Sequence, residues 1–340
     1  MSAPRAIALS AAVAVLAAGS FSAQQAPAGD LSEVRRLINA GEPRQALQRL
    51  QELEAGERAG SPAQAGLLRG VARYHADDPA GAVDALDPIL ADLPEGSIER
   101  REAEQVLGLA LFVTGRFREA IPRLEATRRW APSNLELAYA LGQAYVQTHR
   151  PDASRGVLAD VYGVPPDSAA AHLLNAQAMI RLEMEELAEG ELRKAIAADP
   201  RLPNAHFLLG QIALFRGRLD EAVDLTRREL EISPGHAMAL SQLGDAYSRL
   251  GKVDEAIAAL QKSIWSNPYY SAPYLLLGRA YMKKGDAQAA EGMLRRAIQY
   301  DPNNRAAHYV LGQLLQTLGR TEEAARELGI AERLTSPRGR

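Results

Sequence analysis

The 340 residues contain no cysteine, five phenylalanines and two tryptophans, and the net charge is only −3 from 39 basic and 42 acidic side chains. Each shortage excludes something. Without cysteine there is no disulfide, no thiol nucleophile and no iron–sulfur cluster, so the chain must hold itself together by packing alone. Without a charge excess there is no strong field to draw in nucleic acid or an anionic membrane, and neither is expected as a partner. Long apolar runs are missing too. The N-terminal one, Ala6 to Ala18, falls short of the roughly 20 residues that span a bilayer.

That run has a meaning of its own. Arg5 precedes it and the small residues of GSFSAQQ follow it, which is the layout of a secretory signal. Residues 1–23 are therefore expected to be a signal peptide, cleaved after Ser22 or Ala23, with 24–30 as a linker. The expectation is an exported chain, periplasmic or secreted, with no stable membrane span after cleavage. An uncleaved N-terminal anchor is the lesser alternative, and no cysteine follows the run to carry a lipid.

What remains is 47% apolar and 24% charged, the profile of a folded soluble protein. Its organisation emerges in steps of 34. Gly108, Gly142, Ala176, Gly210, Gly244, Gly278 and Gly312 recur without a slip in register. Gly115, Gly217, Gly251, Gly285 and Gly319 stand seven positions later. Twelve positions after the first mark come Ala120, Ala188, Ala222, Ala256, Ala290 and Ala324, with Ser154 the exception. Leu124, Leu158, Leu192, Leu260, Leu294 and Leu328 follow at sixteen, and prolines from Pro132 to Pro302 close the units.

This column pattern resembles the tetratricopeptide repeat family, a 34-residue helix–turn–helix. The unit Leu240, Leu243, Gly244, Tyr247, Gly251, Ala256, Leu260, Pro268 carries the likeness, with leucine where the family often has tryptophan. Two weaker units lie upstream: one with Gly41, Ala46 and Leu50, the other with Gly70, Ala82, Leu86 and Pro94, offset by an insertion around Glu95 to Ser97. The resemblance implies an all-α, right-handed superhelical solenoid of about nine repeats. It covers 31–334, with 31–98 degenerate, 101–334 regular, and 335–340 left as a disordered tail.

The columns also have a direct physical reading. Gly244 and Ala256 let two helices cross closely, and Leu243, Tyr247 and Leu260 fill the space around them. Gly251 ends the first helix by accepting a left-handed conformation. Asp254 and Glu255 open the second helix beside its positive end. Asn267, preceding Pro268, is pushed out of the α region and stops it. Helices of about 12–15 residues are marginal alone in water, so stability must come from stacking each pair on its neighbours.

Chemistry-bearing motifs dissolve into the same repeat. The stretch GDAYSRLGK has six residues between its glycines and Val253 after the lysine, whereas a phosphate-binding loop needs four and a Ser or Thr. His172, His206 and His308 share a column, yet no third ligand or HExxH spacing accompanies them, so packing histidines are expected and no metal. Glu185–Glu186 and Glu322–Glu323 read as helix openings, and no GxSxG elbow occurs. Neither an enzyme nor a cofactor is expected.

By resemblance, first helices line a concave face through the second, fifth, ninth, twelfth and thirteenth positions of each unit. The ninth column reads Leu109, Gln143, Gln177, Gln211, Asp245, Arg279, Gln313. Its glutamines are either a row of amides for a partner backbone or a solvated polar column. Tyr139, Val146, Leu173, Ile180, Phe207, Leu214 and Phe215 give the central units an apolar excess, which is either an exposed groove or burial by adjacent repeats. Arg249, Arg279 and Lys283 make a basic end, with Asp245 among them and Tyr309 farther along. Such an end would suit a peptide with hydrophobic anchors and an acidic group. The ninth column lacks asparagine and the fifth lacks lysine, so the chaperone-tail clamp of the family is not expected. The leading expectation is a non-catalytic scaffold that binds peptide or helical segments of other proteins, within an envelope or secretion assembly. The alternatives are a self-assembling structural protein, associating through its C-terminal repeat, and an accessory subunit of an enzyme complex.

Overall fold

The computed structural model describes residues 31–56 and 60–334. The expected signal peptide, linker and tail lie outside the described residues. Among the described residues there are 18 α-helices, one short 3-10 turn and no strand. The described residues divide into two compact units, the first ending at Pro166 and the second beginning at Asp167.

The first unit holds α1 (Leu31–Asn39), α2 (Pro43–Ala55), α3 (Pro62–His75), α4 (Pro79–Leu86), α5 (Ile98–Val113), α6 (Phe117–Trp130), α7 (Leu135–Gln147) and α8 (Pro151–Tyr162). The second holds α9 (Ala169–Arg181), α10 (Glu185–Ala198), α11 (Ala205–Phe215), α12 (Leu219–Ile232), α13 (Ala237–Arg249), α14 (Val253–Ser266), α15 (Ser271–Lys284), α16 (Ala287–Tyr300), α17 (Arg305–Thr317) and α18 (Thr321–Arg333). They form nine antiparallel pairs, and within each unit a pair packs mainly on the pair next to it.

The columns explain the pairing. A Cβ added at Gly244 would lie 2.5 Å from Leu260 Cγ, and at Gly278 and Gly312 the matching leucines stand 2.6 and 2.7 Å away. A methyl group at these crossings has no room. Gly251 has φ +77°, and the amide of Lys252 bonds back to the Tyr247 carbonyl at 2.9 Å, closing α13 with a left-handed cap. His149 and Glu183 hold the same corner at φ 58° and 57° despite their side chains. Asp254 and Glu255 occupy the first turn of α14, and Asn267 stops that helix in an extended conformation.

The upstream weak unit departs from the period for a visible reason. Pro88 cannot continue α4, and a 3-10 turn, Leu90–Asp92, takes its place. Leu90 and Leu93 are still buried, and Arg100 Nη1 donates to both of their carbonyls, at 3.2 and 3.1 Å.

In the second unit the core is a series of local clusters rather than one nucleus. Leu214, Val223, Leu243 and Tyr247 form one, Ile257, Leu260 and Leu277 the next, and Leu294, Leu311 and Leu315 another. Charged stitches repeat along with them. Glu189 on α10 accepts from Arg218 of the next pair at 2.9 Å to each oxygen. Three periods later Glu291 on α16 accepts from Arg320 at 2.7 Å. The hydrogen bond from Arg218 holds the Glu189 carboxyl below the usual carboxylate range.

Candidate partner-binding surface

The residues singled out in sequence sort into core and surface. Val146 is fully buried, and Phe207 and Leu214 retain only 6% and 8% exposure. These three are core, not groove. Val146 sits on α7, which packs against α5, α6 and α8 in the first unit. The Phe207 ring meets His236 edge-on at 4.9 Å, and Leu214 belongs to the cluster shared with Leu243 and Tyr247. Adjacent repeats therefore bury the apolar excess at these positions, as amphipathic helices do when both flanks are covered.

Tyr139 and Gln143 of the first unit are half-buried, and the Tyr139 hydroxyl is paired with that of Tyr162. In the second unit Leu173, Gln177 and Ile180 on α9 are half-buried as well. What faces water freely comes from α11, α13, α15 and α17. Gln211, Arg249, Arg279, Lys283 and Gln313 are exposed and Asp245 half-buried. Phe215 is 78% exposed and Tyr309 47%.

The cations of this surface are not equivalent. Arg249 pairs with Asp245 at 2.8 Å on its own helix and also reaches the Leu214 carbonyl at 3.4 Å. Lys283 donates to the Ser248 carbonyl at 2.8 Å. Both add a charged donor at the end of the preceding first helix, to carbonyls that also accept from the Gly217 and Gly251 amides at 3.2 and 3.3 Å. Arg279 has no hydrogen bond or ion pair among the described residues. Gln313 donates to the Tyr309 hydroxyl at 3.1 Å. The surface thus offers one uncommitted guanidinium, two amides and an exposed aromatic at either end.

The histidine column is interior. His172 meets Glu191 at 2.9 Å and His308 meets Glu327 at 2.6 Å, each nineteen residues on. His206 has Leu225 at that place, and its buried Nδ1 lacks a partner. Burial pushes the His206 imidazole down from its ordinary value. Burial alone would raise the Glu191 carboxyl, but hydrogen bonds from Lys194, Asn175 and His172 outweigh it and bring the value to about 2. Among the described residues no cluster of three or more His, Asp or Glu side chains is arranged to hold a metal.

Sequence reasoning missed a polar seam behind α11. Thr226 stands in the leucine column, and Gln242 Nε2 donates to its hydroxyl at 2.8 Å. Glu229, fully buried, accepts from the amides of Asn204 at 2.8 Å and Phe207 at 3.2 Å. A carboxylate from the partner helix thus caps α11, whose own Asn204 sits at φ +71° and makes no side-chain cap. The interruption of the leucine column at Thr226 was the available signal.

Tetratricopeptide-repeat models match residues 31–97, 111–180 and 275–333, and a model for anaphase-promoting complex, cyclosome, subunit 3 matches 183–263. No curated protein matches the chain. Among solved structures, pilF of Pseudomonas aeruginosa is 21% identical over 59% of this chain and 91% of its own, at TM-score 0.48. MamA from Desulfovibrio magneticus RS-1 is 21% identical over 49% and 94%, at 0.44. The APC/C hetero-tetramer Cut9-Hcn1 is 17% identical over 84% and 55%, at 0.46. With its 34-residue columns, its nine helical pairs and family matches over more than half its length, the chain belongs to the tetratricopeptide-repeat family.

Proposed function

We propose that this protein is a non-catalytic scaffold that holds a segment of another protein against the exposed face of α11, α13, α15 and α17. The observation that carries the reading is the contrast within one surface. Arg249 and Lys283 serve the fold, while Arg279, Gln211 and Phe215 stand exposed with no such duty. An uncommitted guanidinium pairs with a carboxylate, amides satisfy an extended or helical backbone, and Phe215 gives an apolar side chain a place to rest. The partner segment is therefore acidic with a hydrophobic anchor. The N-terminal signal pattern supports an exported location, and with it a role in an envelope or secretion assembly.

Self-association through the last repeat is the weaker arrangement. Where α14 and α16 carry Ile264 and Ile298, α18 carries exposed Glu332, and where α14 buries Ile257 it carries exposed Ala325.

The test is capture of partners by the purified chain from its native compartment, wild type against the double variant Phe215→Ser, Arg279→Glu. Unchanged helicity with loss of the captured partner is the expected result. Equal capture by both forms contradicts the assignment.

A further inference from the structure

The overall charge balance predicts no attraction to an anionic membrane, but charge is sorted by helix face in a way that composition does not report. Lys194, Arg228, Lys262 and Arg296 occupy one column on the second helices α10, α12, α14 and α16, and all four are exposed. Their surroundings differ. Lys194 is paired with Glu191 at 2.8 Å, and Arg228 has Asp224 and Glu231 one turn away on either side. At the same places Lys262 has Ala258 and Trp265, and Arg296 has Gly292 and Gln299. Positive charge is therefore left uncompensated on α14 and α16.

Aromatic side chains project at the same end. Trp265 is 89% exposed, the highest value of any large apolar side chain among the described residues, and Tyr269 is 78% exposed. Lys262 and Trp265 share a face of α14, three residues apart. Tyr269 is held edge-on against Tyr300 at 5.8 Å, and Tyr300 lies 5.3 Å from Tyr274. Asp301, beside Tyr300, turns its carboxylate to the Asn303 amide at 3.1 Å. Arg296 also interacts with the Tyr274 hydroxyl, a neutral partner that leaves its charge uncancelled. An indole and a phenol held in water beside two exposed cations suit an occupant that is anionic outside and apolar within.

We propose that this face, made by Lys262 and Trp265 of α14, Tyr269 in the turn after α14 and Arg296 of α16, rests the protein on an anionic lipid surface. Amphipathic aromatics sit at the headgroup level of a bilayer, and lysine and arginine near the surface are attracted to anionic headgroups. A soluble acidic strand would engage the cations but leave Trp265 in water, which is why a lipid surface fits better. The contact is peripheral, since no helix among the described residues is long and apolar enough to cross a membrane. Apart from Tyr269, in the turn before α15, it lies on the second helices and shares no residue with the proposed partner surface on the first helices.

The test uses the full purified chain with Trp130→Phe, so that Trp265 is the sole tryptophan reporter. Vesicles of phosphatidylcholine are compared with vesicles of phosphatidylcholine mixed with phosphatidylglycerol. Expected are co-sedimentation and a blue shift of Trp265 emission with the anionic vesicles only, weakened by salt. Lys262→Gln with Arg296→Gln should lower the partition about 30-fold, and Trp265→Ser should reduce it while circular dichroism stays unchanged. No shift with anionic vesicles overturns the proposal. So does equal binding to neutral vesicles, or a shift with soluble polyglutamate in the absence of any with vesicles.

Discussion

Lys283 Nζ lies 2.8 Å from the carbonyl oxygen of Ser248, one repeat and one residue earlier, and Arg249 stands in the same relation to Leu214 at 3.4 Å. A cation at the thirteenth position of one repeat thus closes the first helix of the repeat before it. Neighbour-to-neighbour stacking is carried by such backbone closures as well as by apolar contact.

Lys283→Ala removes a charge-assisted bond to a helix end and should cost about 1 kcal/mol in urea unfolding. Arg279→Ala, at an exposed position of the proposed partner surface, should leave the urea midpoint unchanged and weaken partner capture. Reversal of that pattern would show that the two cations have been assigned the wrong duties.

The crossing glycines separate into tight and loose ones. At Gly244 a Cβ would stand 2.5 Å from Leu260 Cγ, whereas at Gly142 the nearest atom, Ser154 Oγ, is 3.5 Å away. Gly244→Ala should therefore destabilise by about 1–3 kcal/mol. Gly142→Ala meets only ordinary contact distances and should stabilise by up to about 1 kcal/mol through helix propensity. Thermal and urea unfolding of the two variants check both signs.

Nearly all of the architecture was legible, because a crossing of two helices admits few side chains and a left-handed corner admits few residues. The columns of Gly244, Gly251, Ala256 and Leu260 report those constraints directly. The candidate surface was legible only in part. Whether a fifth- or twelfth-position side chain meets water depends on the next repeat, and one helix's own sequence does not contain that information. Phe207 is buried because His236 stands over it, while Phe215, eight residues on in the same helix, is left 78% exposed. Likewise, the thirteenth-position cations looked free in sequence because their carbonyl partners belong to the backbone, which no residue column displays.

The buried carboxylate of Glu191 gives the fold an acid limit. Its pKa is brought down to about 2 in the folded protein, from about 4.3 in an unfolded chain. A depressed carboxylate contributes stability that is fully present above the unfolded value and lost as pH falls toward the folded one. On the order of 2–3 kcal/mol should therefore disappear between about pH 4.5 and pH 2. Glu191→Gln should flatten the stability profile across that window when unfolding is followed by circular dichroism. A variant as acid-sensitive as wild type would place the acid limit elsewhere.

Site-specific photo-cross-linking reads directly which helices meet the partner. A photoreactive residue is placed singly at Gln211, Arg279 and Gln313 on the first helices, and at exposed Asp224 on α12, in the native compartment. Adducts with a common protein partner at the three first-helix positions, and none at Asp224, are the predicted result. Adducts confined to Asp224, with the first-helix positions silent, would contradict it.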